Sequence, residues 1–176
     1  MEKILKTIRN VPDFPKPGIQ FKDITPILHD AQLCGEIADT FAEKLGNQRI
    51  DAVAGIESRG FLFGMLLAQK LGVPFVMIRK SGKLPFTTVG MDYALEYGTA
   101  RIEMHTDAMQ PGWNVVLHDD LLATGGTAAA AARLTEMQGA RVAAFAFVVE
   151  LGFLHGRDAL VPHCSNIISL VNYNGE

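Results

Sequence analysis

The sequence predicts an α/β fold: a mostly parallel, twisted sheet with helices on both faces and a small N-terminal hood. Three observations predict it. Short apolar runs alternate with helix-length segments, as in repeated βαβ units. The run "NVVLH" leads through an acidic pair and a glycine pair into an alanine-rich helix, the way a buried strand enters a tight turn and then a helix. The length of 176 residues suits one core, so the whole chain, 1–176, is read as a single domain.

In chain order, "EKILKTIRN" places Ile4, Leu5 and Ile8 at helical spacing. "VPDFPKPGIQFKDITP" then breaks the pattern with Pro12, Pro15, Pro17, Gly18 and Pro26. It still carries Phe14, Ile19, Phe21 and Ile24, so it reads as an ordered hood over residues 1–30 rather than a solvated linker. Leu33, Ile37, Phe41 and Leu45 recur every fourth position, a helix from Ala31 to Leu45 ended by Gly46. "DAVAGI" is a strand, "GFLFGMLLAQKLG" a buried helix, and "PFVMIRK" the next strand. "ARIEMHT" alternates like an edge or half-exposed strand. "NVVLH" and "RVAAFAFVVEL" flank the alanine-rich helix, which Gly139 closes, and "NIISLVNY" adds a last strand. Residues 31–176 thus form the α/β core.

Composition narrows the function. A formal net charge of −3 argues against nucleic acid as a general partner, and no apolar run approaches the roughly 20 residues of a membrane span. The N-terminus lacks the basic head and continuous apolar stretch of a secretory signal, so a cytoplasmic protein is expected. Cys34 and Cys164 form no CxxC pair, and the five histidines show no HExxH spacing, so neither a disulfide framework nor a zinc centre is expected.

Ligands of such sheets bind at the carboxyl ends of the strands, which puts Asp119 and Asp120 on a functional rim. In "ATGGT", Gly125 and Gly126 let backbone N–H groups approach a ligand, Thr124 and Thr127 add hydroxyls, and the following helix aims its positive end at the same point. That suits a phosphate monoester. Neither GxxxxGK[ST] nor GxGxxG is present. Ionised carboxylates accept from vicinal sugar hydroxyls, so a 5-phosphoribose fits both halves of the motif. On their own, adjacent aspartates at a strand end are more often a turn and helix cap; the glycine loop behind them reverses that balance.

"VVLHDDLLATGGT" resembles the phosphoribosyl-diphosphate (PRPP) signature of the type I phosphoribosyltransferases. "FPKPGIQFKDITP", "AGIESRGFLFG", "IRKSGKLP" and "LEYGTARIEMH", in this order, resemble the adenine-using members of that family. The resemblance implies the type I phosphoribosyltransferase fold and transfer of 5-phosphoribose from PRPP to adenine, giving AMP and diphosphate. It implies that Asp119 and Asp120 hold the ribose hydroxyls and that Ala123, Thr124, Gly125, Gly126 and Thr127 wrap the 5-phosphate. Ser58 and Arg59 of "ESRG", with Arg79, Lys80 and Lys83 of "RKSGK", would meet the diphosphate; no acid interrupts Met77 to Gly90. Adenine would be read in the hood, Phe21 stacking on the base and the backbone of Ile19, Gln20 and Lys22 meeting its amine edge. Residues 82–98 would be a lid, with Glu96 as the acid–base residue beside the purine ring. Mg2+ would be held mainly through the substrate, with no dedicated protein metal site, and a homodimer is implied. A different base, or a PRPP-binding regulator without turnover, remains open. His118 departs from the apolar residue usual before the acidic pair; it either pairs with Asp120 or packs.

Overall fold

In the computed structural model, residues 1–94 and 98–175 are described. Helix α1 (Glu2–Thr7) leads into a two-stranded antiparallel hairpin, β1 (Arg9–Pro12) and β2 (Gln20–Asp23). Helix α2 (Ala31–Leu45) has the bounds its periodicity predicts: the Asp30 side chain accepts from the Leu33 N–H, Gly46 at φ 60° ends it, and Leu33, Ile37, Phe41 and Leu45 are all buried.

The core follows as β3 (Ala52–Ile56), α3 (Gly60–Leu71), β4 (Phe75–Lys80), β5 (Thr88–Ala94), β6 (Thr99–His105), β7 (Asn114–Leu122), α4 (Gly126–Met137), β8 (Arg141–Leu151), α5 (Arg157–Leu160) and β9 (Ile167–Tyr173). The sheet runs β5-β6-β4-β3-β7-β8-β9, with β4, β3, β7, β8 and β9 parallel and β5 and β6 antiparallel at one edge.

Side-chain alternation along these strands divides the interior into two layers. Val53, Val116, Ala144 and Ala146 face α2 and α3. Ala52, Ala54, Val115, Leu117, Phe145 and Phe147 face α4, whose Ala128 to Ala132 are all buried. Helices therefore cover both faces, as expected. From β3 the chain crosses through α3 to β4 on one side, while β7 lies on the other. The carboxyl ends of β3 and β7 flank this reversal of strand order, where a crevice opens in a parallel sheet.

Three local readings are corrected. The strand read as "NVVLH" continues to Leu122, because Leu121 and Leu122 keep pairing with Val149 and Glu150 of β8. The acidic pair thus lies within the strand. The "ARIEMHT" strand is an inner one, with β5 outside it, and its Ile102, Glu103 and Met104 are buried. Residues 88–94 of the expected lid are strand β5 itself; its alternation was masked by Gly90 and by charge at Asp92.

Candidate active site

At the end of β7, alternation sends Asp119 and Asp120 to opposite faces of the strand. Asp120 is 3% exposed. Asp119 Oδ1 accepts the Asp120 N–H at 2.9 Å, and burial together with the charge of Asp120 pushes the Asp119 carboxyl well above the usual carboxylate range. The chain then turns through Ala123, Thr124 and Gly125 into α4. Gly125 adopts φ +81°, a left-handed conformation costly for any residue with a Cβ. A cavity of about 90 Å³ lies against Asp119, residues 121–128 and Phe147, beside the first turn of the twelve-residue α4. Free N–H groups and the helix dipole make that turn an anion seat.

A second cavity, of about 300 Å³, adjoins it and is lined by Glu57, Ser58, Arg59, Lys80, Asp119 and Asp120. Asp119 belongs to both. The β3–α3 loop supplies the first three, with a cis peptide between Glu57 and Ser58. Arg59 Nε donates to Asp120 Oδ2 at 2.5 Å, spanning the crevice between β3 and β7. Burial works against the charge on Arg59, but Asp120, Asp119 and Asp23 outweigh it and raise its pKa. Glu57 accepts from Arg79 Nε and Nη2 at 3.2 and 3.1 Å and from the Lys80 N–H at 3.0 Å. Burial alone would raise the Glu57 carboxyl, and these bonds bring it below its ordinary value.

The hairpin β1–β2 approaches from the side. Phe21 meets Phe14 edge to face at 5.1 Å, and the Arg59 guanidinium carbon lies 5.4 Å from the Phe21 ring centroid. Arg59 therefore touches both the acidic pair and the hood. The Lys22 side chain is engaged within the hood and at the C-terminal strand: its Nζ donates to Asn10 Oδ1 at 2.8 Å and sits 4.3 Å from the Tyr173 ring centroid.

An anion seat, an acidic pair and a basic loop converge on one crevice, and comparison with known proteins gives that combination a family. The phosphoribosyl transferase domain family matches residues 22–171. The chain belongs to the phosphoribosyltransferase family. It is 53% identical over 172 residues to a protein of Cytophaga hutchinsonii named adenine phosphoribosyltransferase, covering 98% of this chain and 95% of that one. The crystal structure of adenine phosphoribosyltransferase from Thermoanaerobacter pseudethanolicus superposes with a TM-score of 0.93 at 49% identity, covering 98% of this chain and 99% of the other. That of the Saccharomyces cerevisiae enzyme, complexed with D-DIAB and adenine, gives 0.90 at 40% identity, covering 96% and 97%. The architecture is accordingly the type I phosphoribosyltransferase fold.

Within this phosphoribosyltransferase, the expected site residues divide. Asp119, Asp120, Ser58, Arg59, Lys80 and the loop 123–127 line the two adjoining cavities. Arg79 and Lys83 line neither: Arg79 pairs with Glu57, and its Nη1 donates to the Lys83 carbonyl at 2.9 Å. Of the three cations in "RKSGK", only Lys80 faces the larger cavity. Glu57, unassigned in the sequence, lines that cavity; the signal was present, since it opens "ESRG". Gln20 is exposed at the start of β2. Glu96 lies outside the described residues. His118 packs rather than pairing with Asp120: it is fully buried, edge to face with Phe41 at 5.4 Å, and its polar neighbour is the Ala146 backbone on β8 rather than a carboxylate. Burial lowers its pKa to about 3, so the imidazole is neutral.

Proposed function

We propose that the chain is an adenine phosphoribosyltransferase, moving 5-phosphoribose from PRPP to adenine with release of diphosphate. The observation that carries the reading is the anion seat at the start of α4 sharing Asp119 with a larger cavity that holds acidic and basic groups together. A phosphoribose bridging the two would rest its 5-phosphate on 123–127 and offer its ribose hydroxyls to Asp119 and Asp120. Its anomeric carbon would then face the cavity that Ser58, Arg59 and Lys80 share. The names of the relatives supply adenine as the base, and Phe21 beside Arg59 gives a ring on which a purine could stack.

The chemistry asks little covalent work of the protein. As diphosphate leaves, the anomeric carbon gains oxocarbenium character while a purine nitrogen approaches from the other side. Lys80, Arg59 and Ser58 offset the growing negative charge of the leaving group. Arg59 must then exchange Asp120 for the incoming diphosphate, which frees the Asp120 carboxylate for the ribose. Glu96 takes the role of proton carrier for the base, and the lid segment 82–98, which would move with its β5 strand as one arm of the β5–β6 pair, excludes water from the cation. Among the described residues no group of three or more His, Cys, Asp or Glu could hold a metal alone. The oxygen donors of Asp119 and Asp120 suit Mg2+, which prefers phosphate oxygens and retained water. When bound with PRPP it would supply charge neutralisation on the diphosphate.

The same reading includes a homodimer in the cytoplasm. Leu62 and Met65 on α3 and Met77 on β4 are exposed apolar side chains that a second copy would cover. No helix among the described residues is long and apolar enough to cross a membrane. The deciding experiment is incubation of the purified protein with PRPP, Mg2+ and each free base in turn, following diphosphate release. AMP formed with adenine is the expected result; turnover with another base alone would replace the substrate, and PRPP binding without turnover would replace the enzyme with a regulator.

A further inference from the structure

Outside the signature segment, the turn before α5 meets the phosphate loop backbone to backbone. Gly156 has φ −59° and ψ −23°, a conformation open to any residue, so its glycine is needed for space rather than for freedom. A Cβ on Gly156 would collide with the Ala123 carbonyl oxygen and lie 2.9 Å from Leu122 Cδ1. In return, a Cβ on Gly125 would collide with the Gly156 carbonyl oxygen and lie 3.1 Å from Ala159 Cβ. The two glycines interlock, and the loop has no slack against this turn.

The turn itself is anchored by its next residue. Arg157 donates from Nε and Nη2 to the two oxygens of Glu150, each at 2.7 Å, and from Nη1 to the Ile167 carbonyl at 3.1 Å. Glu150 is 4% exposed near the end of β8, and Ile167 begins β9. A bidentate guanidinium–carboxylate pair of this kind fixes direction as well as distance. The sheet therefore holds Arg157, Arg157 holds Gly156, and Gly156 abuts the loop without itself lining the cavity.

We propose that Gly156, held by the Glu150–Arg157 clamp, is a positioning residue that sets the place of the 123–127 loop and hence the affinity for the 5-phosphate of phosphoribosyl ligands. This rests on the loop being the phosphate seat, as in the function proposed above. Backbone hydrogen bonds to a phosphate weaken steeply with small displacements, so a methyl group that pushes the loop should act on the phosphate and not on the base.

The test is titration of wild type, Gly156→Ala and Arg157→Lys with AMP, alongside the KM for adenine at saturating PRPP. Gly156→Ala should raise the AMP Kd about tenfold and Arg157→Lys about threefold. The KM for PRPP should rise with kcat retained, the pattern of lost uniform binding, and the KM for adenine should stay within about twofold. If Gly156→Ala does not fold, Arg157→Lys and Glu150→Gln give the same readout. Unchanged AMP affinity in the folded variants, or an equal loss for adenine, overturns the proposal. A wild type that bound AMP without converting adenine would remove the activity reading, yet the AMP titrations would still decide the role of Gly156; a wild type that bound no AMP would overturn both.

Discussion

The two sides of the crevice are built by different means. The side proposed for the phosphate, β7 into α4, rests on a buried core: Leu122 is 1% exposed, Phe147 1%, and Ala130 to Ala132 not at all, while Thr124 in the loop between them is exposed. The groups proposed to hold the phosphate are main-chain N–H groups at the start of α4, whose positions follow from the strand that leads into it. The side proposed for the base is a hairpin of two four-residue strands in which no residue is buried, joined to the site through side chains such as Phe21 and Arg59. Phe14 and Ile19 there are 51% and 43% exposed. A phosphate has one shape and a fixed charge, so a rigid backbone seat serves it. A base offers a ring face and a polar edge, and a lightly held hood can close on both.

If that contrast is right, substitutions should separate chemistry, phosphoribose binding, base binding and stability. The largest effect is expected for Glu96→Gln, with kcat falling by about 10²-fold or more and PRPP affinity nearly unchanged, because proton transfer rather than binding is lost. Single-turnover rates set beside PRPP titration check it. Next comes Asp120→Asn, which removes a charge-assisted acceptor for the ribose and leaves Arg59 without its partner. PRPP affinity should drop about 10- to 100-fold, and an equal loss of kcat in this variant and in Glu96→Gln would blur the division.

Phe21→Ala should raise the KM for adenine by about five- to tenfold, the worth of one stacking contact, and leave AMP's phosphate contribution intact. A matching loss in PRPP affinity would mean that hood and crevice act as one unit through Arg59. The smallest effect is thermal. Asp119 titrates above the ordinary carboxylate range, so the folded chain takes up this proton more readily than the unfolded chain. This raised pKa lowers stability at pH values above it, and the loss is recovered as pH falls from the folded pKa toward the unfolded one. Asp119→Asn should raise the melting temperature by about 2–4 °C at neutral pH, with the gain shrinking on acidification, while substrate binding weakens. Scanning calorimetry across pH reads both signs.

Much of this was legible in single stretches of sequence. The periodicity of Leu33, Ile37, Phe41 and Leu45 predicted α2 to the residue, and "DDLLATGGT" pointed to a glycine turn behind two carboxylates; the structure brings that turn and Asp119 against one cavity. The β5 strand was not legible, because Gly90 and Asp92 interrupt an alternation that only its pairing with β6 completes. Nor was the hairpin in the hood, where prolines conceal strands of four residues.

Local order, then, was written along the chain: helix period, strand runs and a glycine turn depend on neighbours within a few positions. Which charges face the crevice was not. Arg79 and Lys80 are adjacent, yet one is taken by Glu57, 22 positions earlier, and the other lines the cavity. Arg59 meets Asp120 across 61 positions, and Gly156 meets a loop some thirty residues before it. Such pairings follow from strand order and register, which are set by burial of two apolar layers across the whole sheet, and no short stretch of sequence carries that information.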